Sequence, residues 1–187
     1  MPLSAERLDV TETTEKIVES YFRYCRDCAT MTNIKCSAQH EIDLLAVDLK
    51  TGKRYHVESS VHVGAGFSKL TNKPFDPKML KDRVKGPVMR RTLGFFDQVK
   101  FSATDVVTKL AKYGFFHPGV YSKVVVTWDC SPDVPDAAAN LGIEVLEFPT
   151  LLDQLQEAIG DKHTYIMDDT VRTLQMLVYA QRRKGKI

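Results

Sequence analysis

The feature that most restricts the fold is the stretch HEIDLLAVDLKTGKRYHVESSVHV, residues 40–63. Two apolar runs flank Thr51-Gly52, a turn signal, and each run carries an acid in its middle. Side chains of a strand alternate between faces. In the first run, 41–48, Glu41, Asp43 and Leu45 share one face, and Ile42, Leu44 and Ala46 share the other. In the second, 54–63, His56, Glu58, Ser60 and His62 share one face, and Val57, Ser59, Val61 and Val63 the other. The turn makes these strands antiparallel neighbours, so Asp43 and Glu58 stand side by side. A half-exposed sheet would let both acids face water. Against that, Ile42-Asp43-Leu44-Leu45-Ala46-Val47 is apolar on both sides of Asp43, and a strand buried on both faces rarely takes an acid without a reason. Two neighbouring carboxylates repel unless a cation or a proton lies between them. Oxygen ligands of this kind suit Mg²⁺, which keeps several waters and also holds phosphate.

Around this pair the chain alternates helices and strands. A helix is expected over 11–27: Thr11 or Thr14 caps it, acids fill its first turn, and Ile17, Val18, Tyr21 and Phe22 form one apolar face. A further strand is expected at 30–38. Residues 64–76 read as a loop, 77–97 as one or two helices interrupted at Gly86-Pro87, and 103–113 as a helix. YSKVVVTWD is a buried strand centred on Val124, Val125 and Val126. With a short helix at 135–141 and a strand at 143–148 it forms a parallel βαβ unit. Residues 151–159 and about 165–184 are helical. The last helix aligns Met167, Val171, Leu174 and Val178 in a stripe, a face that a second copy could cover in a homodimer, although the sequence does not fix the oligomeric state.

The 187 residues are 43% hydrophobic and 27% charged, enough to build one core, so a single domain over 1–187 is expected. A net charge of +2 permits nucleic-acid binding without arguing for it. No apolar run approaches the roughly 18 residues that span a bilayer, and the first residues are polar. A cytoplasmic protein with no membrane partner is expected, its four cysteines free thiols in a reducing compartment.

An acid on a helix, an aspartate in a strand and a Glu-x-Lys in the next strand make up the PD-(D/E)XK nuclease signature. TEKIVESYF, EIDLLAVD and YHVESS resemble its three parts, and KVVVTWD with LGIEVLEF resembles its closing βαβ unit. The resemblance covers roughly residues 12–160 and points to the superfamily of restriction endonucleases, Mrr-type enzymes and archaeal Holliday-junction resolvases. It implies an α/β, restriction endonuclease-like fold, with a mixed central sheet flanked by helices. It also implies metal-dependent hydrolysis of phosphodiester bonds in DNA. Carried over to this chain, Asp43 and Glu58 are ligands of Mg²⁺ (or Mn²⁺), with the Ser59 carbonyl completing the coordination. Glu15 fits the helix acid, because Val18, Tyr21 and Phe22 follow at the expected spacing; Glu19 is the fallback.

The chain departs from the pattern at Ser60, where the family has a lysine that helps activate water and stabilise the phosphorane charge. Three readings stay open. A lysine reaches in from elsewhere, with Lys69 and Lys73 as candidates; a histidine, His62 or His56, acts instead; or hydrolysis is lost and the fold is a silent DNA-binding or scaffold protein.

KMLKDRVKGPVMRR adds Lys78, Lys81, Arg83, Lys85, Arg90 and Arg91, the charges that phosphate contacts need, although a solvated helix face accounts for any single one. Cys25, Cys28, Cys36 and His40 have the residue types of a zinc site but not the spacing of a finger, and packing cysteines are the simpler account. The sequence contains no P-loop and no Ser-His-Asp elbow.

Overall fold

Five strands form one mixed sheet in the computed structural model, which describes residues 13–38, 40–61, 69–115, 120–160 and 166–185. In chain order, α1 (Thr13–Tyr24) leads into β1 (Cys28–Lys35), β2 (Glu41–Asp48) and β3 (Arg54–Ser60). Next come a two-residue β4 (Lys69–Leu70), a 3₁₀ turn (Pro77–Lys81), α2 (Lys85–Met89) and α3 (Leu93–Phe95). α3 runs straight into a π-helical turn, Phe96–Phe101. α4 (Thr104–Lys112), β5 (Tyr121–Thr127), β6 (Asp129–Cys130), α5 (Val134–Asn140), β7 (Ile143–Glu147), α6 (Phe148–Gly160) and α7 (Asp169–Arg183) follow. The sheet order is β1-β2-β3-β5-β7. The first three strands are antiparallel neighbours, whereas β3–β5 and β5–β7 are parallel.

The β2–β3 turn is closed locally. The Asp48 carboxylate accepts from the Lys50 N–H at 2.8 Å, the Thr51 N–H at 3.1 Å and the Thr51 hydroxyl at 2.7 Å. Gly52 takes φ 72°, a left-handed value that a side chain would strain. This turn sets the register Leu44 opposite Val57 and Ala46 opposite Tyr55. A slip of one residue would move every side chain to the wrong face.

The sheet is covered on both sides. Ile17, Val18 and Phe22 of α1, Leu151, Leu155 and Ile159 of α6, and Val171 of α7 pack on Leu44, Val57, Val124 and Val126. Val125 faces the other way, against Leu93, Phe96 and Phe101 and against Val134 and Ala138 of α5. Val106 and Leu110 of α4 cover Leu45 and Ile42 beside them. Burial on both faces explains why β5 is a run of valines rather than an alternating strand.

Several boundaries differ from the sequence reading. β1 starts at Cys28 and ends at Lys35, and β3 ends at Ser60. The segment read as a loop includes β4, which pairs with β6. Gly86-Pro87 does not interrupt a helix: it lies in the first turn of α2, where a missing proline N–H costs nothing. Of the C-terminal stripe, Val171 and Val178 are buried within the chain and Leu174 packs on the core, while Met167 stays exposed. Among the described residues no helix is long and apolar enough to cross a membrane.

Candidate active site

Asp43 sits where β2 and β3 stop pairing. Leu44 and Val57 are the last partners, and continuing that register by one residue sets Asp43 opposite Glu58. At that point the Asp43 carboxylate replaces the ladder: its Oδ2 accepts from the Ser59 backbone N–H at 2.7 Å. Glu58 is held between β2 and β5, beside Val125, and is fully buried.

The cation between them is Lys100, from the π-helical turn. Its Nζ lies 2.5 Å from Glu58 Oε2 and 3.1 Å from Asp43 Oδ1, and it donates to the Glu41 carbonyl at 3.0 Å. The local reason for this placement is the turn itself. Thr92 caps α3 by accepting from the Phe95 N–H at 3.3 Å, and the helix then widens to π geometry. Residues five apart line up in such a turn, so Phe96 and Phe101 are both buried and Lys100 is carried inward beside them. Asp97 ties the turn to the sheet through Lys123 of β5, at 3.4 Å.

Burial raises the Asp43 carboxyl to about 7, with a contribution from the Glu58 charge, against Lys100 and the Ser59 N–H. Burial likewise raises Glu58 to about 7, against Lys100. Burial opposes the Lys100 charge too, but Glu58 and Asp43 outweigh it and hold its pKa above the ordinary value. The two acids therefore compete for one proton near neutral pH while the ammonium stays charged. His56 completes the cluster, its Nε2 2.7 Å from Glu58 Oε1; burial and then Lys100 push it down to about 3, so the ring is neutral.

The cluster opens into a cleft of about 650 Å³ lined by Glu15, Asp43, Ser59, Ser60, Lys100, Arg90 and Arg91, among others. Glu15 also shares a small neighbouring hollow with Asp43 and Ser59. Glu19, the fallback, is used elsewhere: its Oε1 accepts from the Thr30 hydroxyl at 2.9 Å and its Oε2 pairs with Lys16 at 2.6 Å. Lys78, Lys81, Arg83 and Lys85 are exposed along the 3₁₀ turn and the start of α2, while Arg90 and Arg91 reach the cleft.

The lysine expected from the loop is corrected. Lys69 lies on β4, half exposed, 3.1 Å from Asp129 and outside the cleft lining. Lys73 is exposed and outside the cleft lining. His62 lies outside the described residues. Lys100 fell in the gap between two expected helices. The available signal was a lone lysine in GFFDQVKF, four residues after Phe96, on what helical spacing makes the inward face.

The zinc residue types do not gather. Cys25 Sγ donates to the Gln154 carbonyl, Cys28 Sγ to that of Arg26 and Cys36 Sγ to that of Ile34, each within its own surroundings. His40 pairs through Nδ1 with Asp105 at 2.8 Å. Among the described residues no three His, Cys, Asp or Glu side chains converge as a metal cage. An ion between Asp43 and Glu58 would take two carboxylates, backbone oxygen and water. That sparse all-oxygen set suits Mg²⁺, which keeps most of its waters.

No family model and no curated protein matches the chain. A solved protein of unknown function, AF1548, shares 17% identity and overlaps 88% of this chain and 79% of its own, with a TM-score of 0.46.

Proposed function

We propose that the cleft is a metal-dependent phosphodiesterase centre acting on DNA, of the PD-(D/E)XK type, in which Lys100 takes the part of the lysine missing at Ser60. The supporting observation is the convergence of Asp43 and Lys100 on the buried Glu58, the first two lining a cleft that Arg90 and Arg91 also line. Asp43, Glu58 and the Ser59 carbonyl would hold Mg²⁺ or Mn²⁺, which when bound polarises the scissile phosphate and lowers the pKa of a water. Lys100 keeps a positive charge beside the reacting phosphate and favours the ionised carboxylates. Ser60 lines the cleft and brings a hydroxyl without charge. Arg90 and Arg91 hold the anionic backbone against the carboxylates, and Glu15 closes the acidic end. The protein works on DNA in the cytoplasm.

The second reading, a silent DNA-binding or scaffold protein, is favoured by one fact: Lys100 by itself supplies both acids with a counter-charge. Cleavage separates the two. Purified protein with Mg²⁺ or Mn²⁺ is expected to cut at least one of duplex, single-stranded, branched or flapped DNA. Lys100→Met should then lose roughly 10²–10³-fold in rate, as when one charge-stabilising donor is removed, with DNA affinity little changed. Unchanged cleavage in Lys100→Met overturns the role given to Lys100. No cleavage of any substrate, together with no Mn²⁺ binding by calorimetry, overturns the enzyme reading.

A further inference from the structure

His56 belongs to the same cluster, and the proposed chemistry gives it no part. It lies two residues before Glu58 on β3, fully buried, with Nε2 2.7 Å from Glu58 Oε1. Its ring stands edge-on to Phe101, the residue after Lys100, with centroids 4.8 Å apart and planes at 84°. Nδ1 has no hydrogen-bond partner among the described residues. That decides the tautomer. A buried N–H left without an acceptor costs about 1–3 kcal/mol, and placing the proton on Nδ1 would create one. With the proton on Nε2, the N–H donates to Glu58 Oε1 and only a lone pair is left bare at Nδ1.

We infer that His56 is a positioning residue that pins Oε1 of Glu58, so that Oε2, the buried oxygen on which Lys100 now sits, is the one left to meet a metal ion. This rests on the reading of the cleft as a metal centre. A carboxylate with one oxygen tied cannot turn about its own axis without breaking that bond. An ion would therefore be met by Oε2 alone, in exchange for the Lys100 contact, rather than clasped by both oxygens. Phe101 braces the imidazole from the turn that carries Lys100, so both partners of Glu58 are set by one element. Partners of this kind are part of metal sites generally, and removing one typically costs about 10–100-fold in metal affinity.

The experiment is Mn²⁺ calorimetry on the whole chain and on His56→Leu, His56→Asn and His56→Gln. The glutamine amide nitrogen has the reach of Nε2 and restores the donor, whereas the asparagine nitrogen has the reach of Nδ1 and does not. His56→Leu and His56→Asn are expected to bind Mn²⁺ about 10–100-fold more weakly, with most of the affinity recovered in His56→Gln. A merely structural histidine would lower the unfolding midpoint without ranking glutamine above asparagine in affinity. If the unaltered chain binds Mn²⁺ and all three variants bind equally well, this inference fails and the metal reading stands. If the unaltered chain binds none, the metal reading fails and takes the inference with it. Should the buried substitutions prevent folding, side-chain nitrogen NMR of His56 in the unaltered chain decides. An Nε2–H tautomer whose signal shifts in step with Mg²⁺ saturation supports the assignment. An Nδ1–H tautomer, or a signal indifferent to Mg²⁺, overturns it.

Discussion

Asp43→Asn is expected to stabilise the fold while removing the metal site. Asp43 is nearly buried, with 15% of its side chain exposed, beside a second buried acid. Its pKa in the fold is about 7, roughly three pH units above that of an ordinary aspartate. Between the unfolded value near 4 and the folded value, the native state binds the extra proton. Stability is therefore fully present below the lower value and falls as pH rises toward the upper one. From pH 5 to pH 7 this amounts to at most about 3 kcal/mol, at about 1.4 kcal/mol per pH unit. Glu58 shares the same proton, so part of the effect belongs to the pair, and about 1–3 kcal/mol is the expected range. Asparagine keeps an oxygen for the Ser59 N–H, and Lys100 keeps Glu58 as its partner. Urea unfolding without divalent metal, at pH 5 and pH 8, measures the difference between variant and parent. That difference should widen in favour of Asp43→Asn as pH rises, by an amount visible against a total stability of about 5–15 kcal/mol. A difference that does not change with pH, or a variant clearly less stable than the parent at pH 8, would refute the account of Asp43 as a destabilised functional acid.

Ser60→Ala should change cleavage little, and Lys69→Ala likewise, because the cation comes from Lys100 and the Lys69 ammonium is on Asp129; single-turnover rates check both. Replacing Arg90 and Arg91 together with alanine should flatten the salt dependence of DNA binding by about 1.8 in log–log slope, about 0.9 for each phosphate no longer neutralised. An unchanged slope places the DNA on another surface. Glu15→Gln should slow cleavage with little effect on stability. Glu19→Gln should spare cleavage and cost about 1–3 kcal/mol in urea unfolding, since it removes the buried charge on which Lys16 and Thr30 converge.

Local pattern was enough for the hairpin and for the acid pair. Thr51-Gly52 and the alternation around it set the faces of β3 and of β2 from Leu44 onward, because a period of two leaves one register that buries Leu44 and Val57 together; Ile42, expected on the Leu44 face, packs with Leu45 instead. The run Val124, Val125 and Val126 likewise announced a strand covered on both sides. The interrupted helix, the short pairing of β4 with β6 and the partner of the C-terminal stripe were not legible, since each depends on a neighbour distant in sequence. The lysine is the sharpest case. From the sequence, the missing charge at Ser60 pointed to the nearest lysines that follow, and proximity along the chain was the only guide. In the fold, a π-helical turn brings Lys100 to Asp43 across 57 residues of chain, and to Glu58 beside it. Strand periodicity determined where the two acids stand. Which cation meets them was decided only by how that turn packs on the sheet, because a buried charge is satisfied by whatever lies beside it in space.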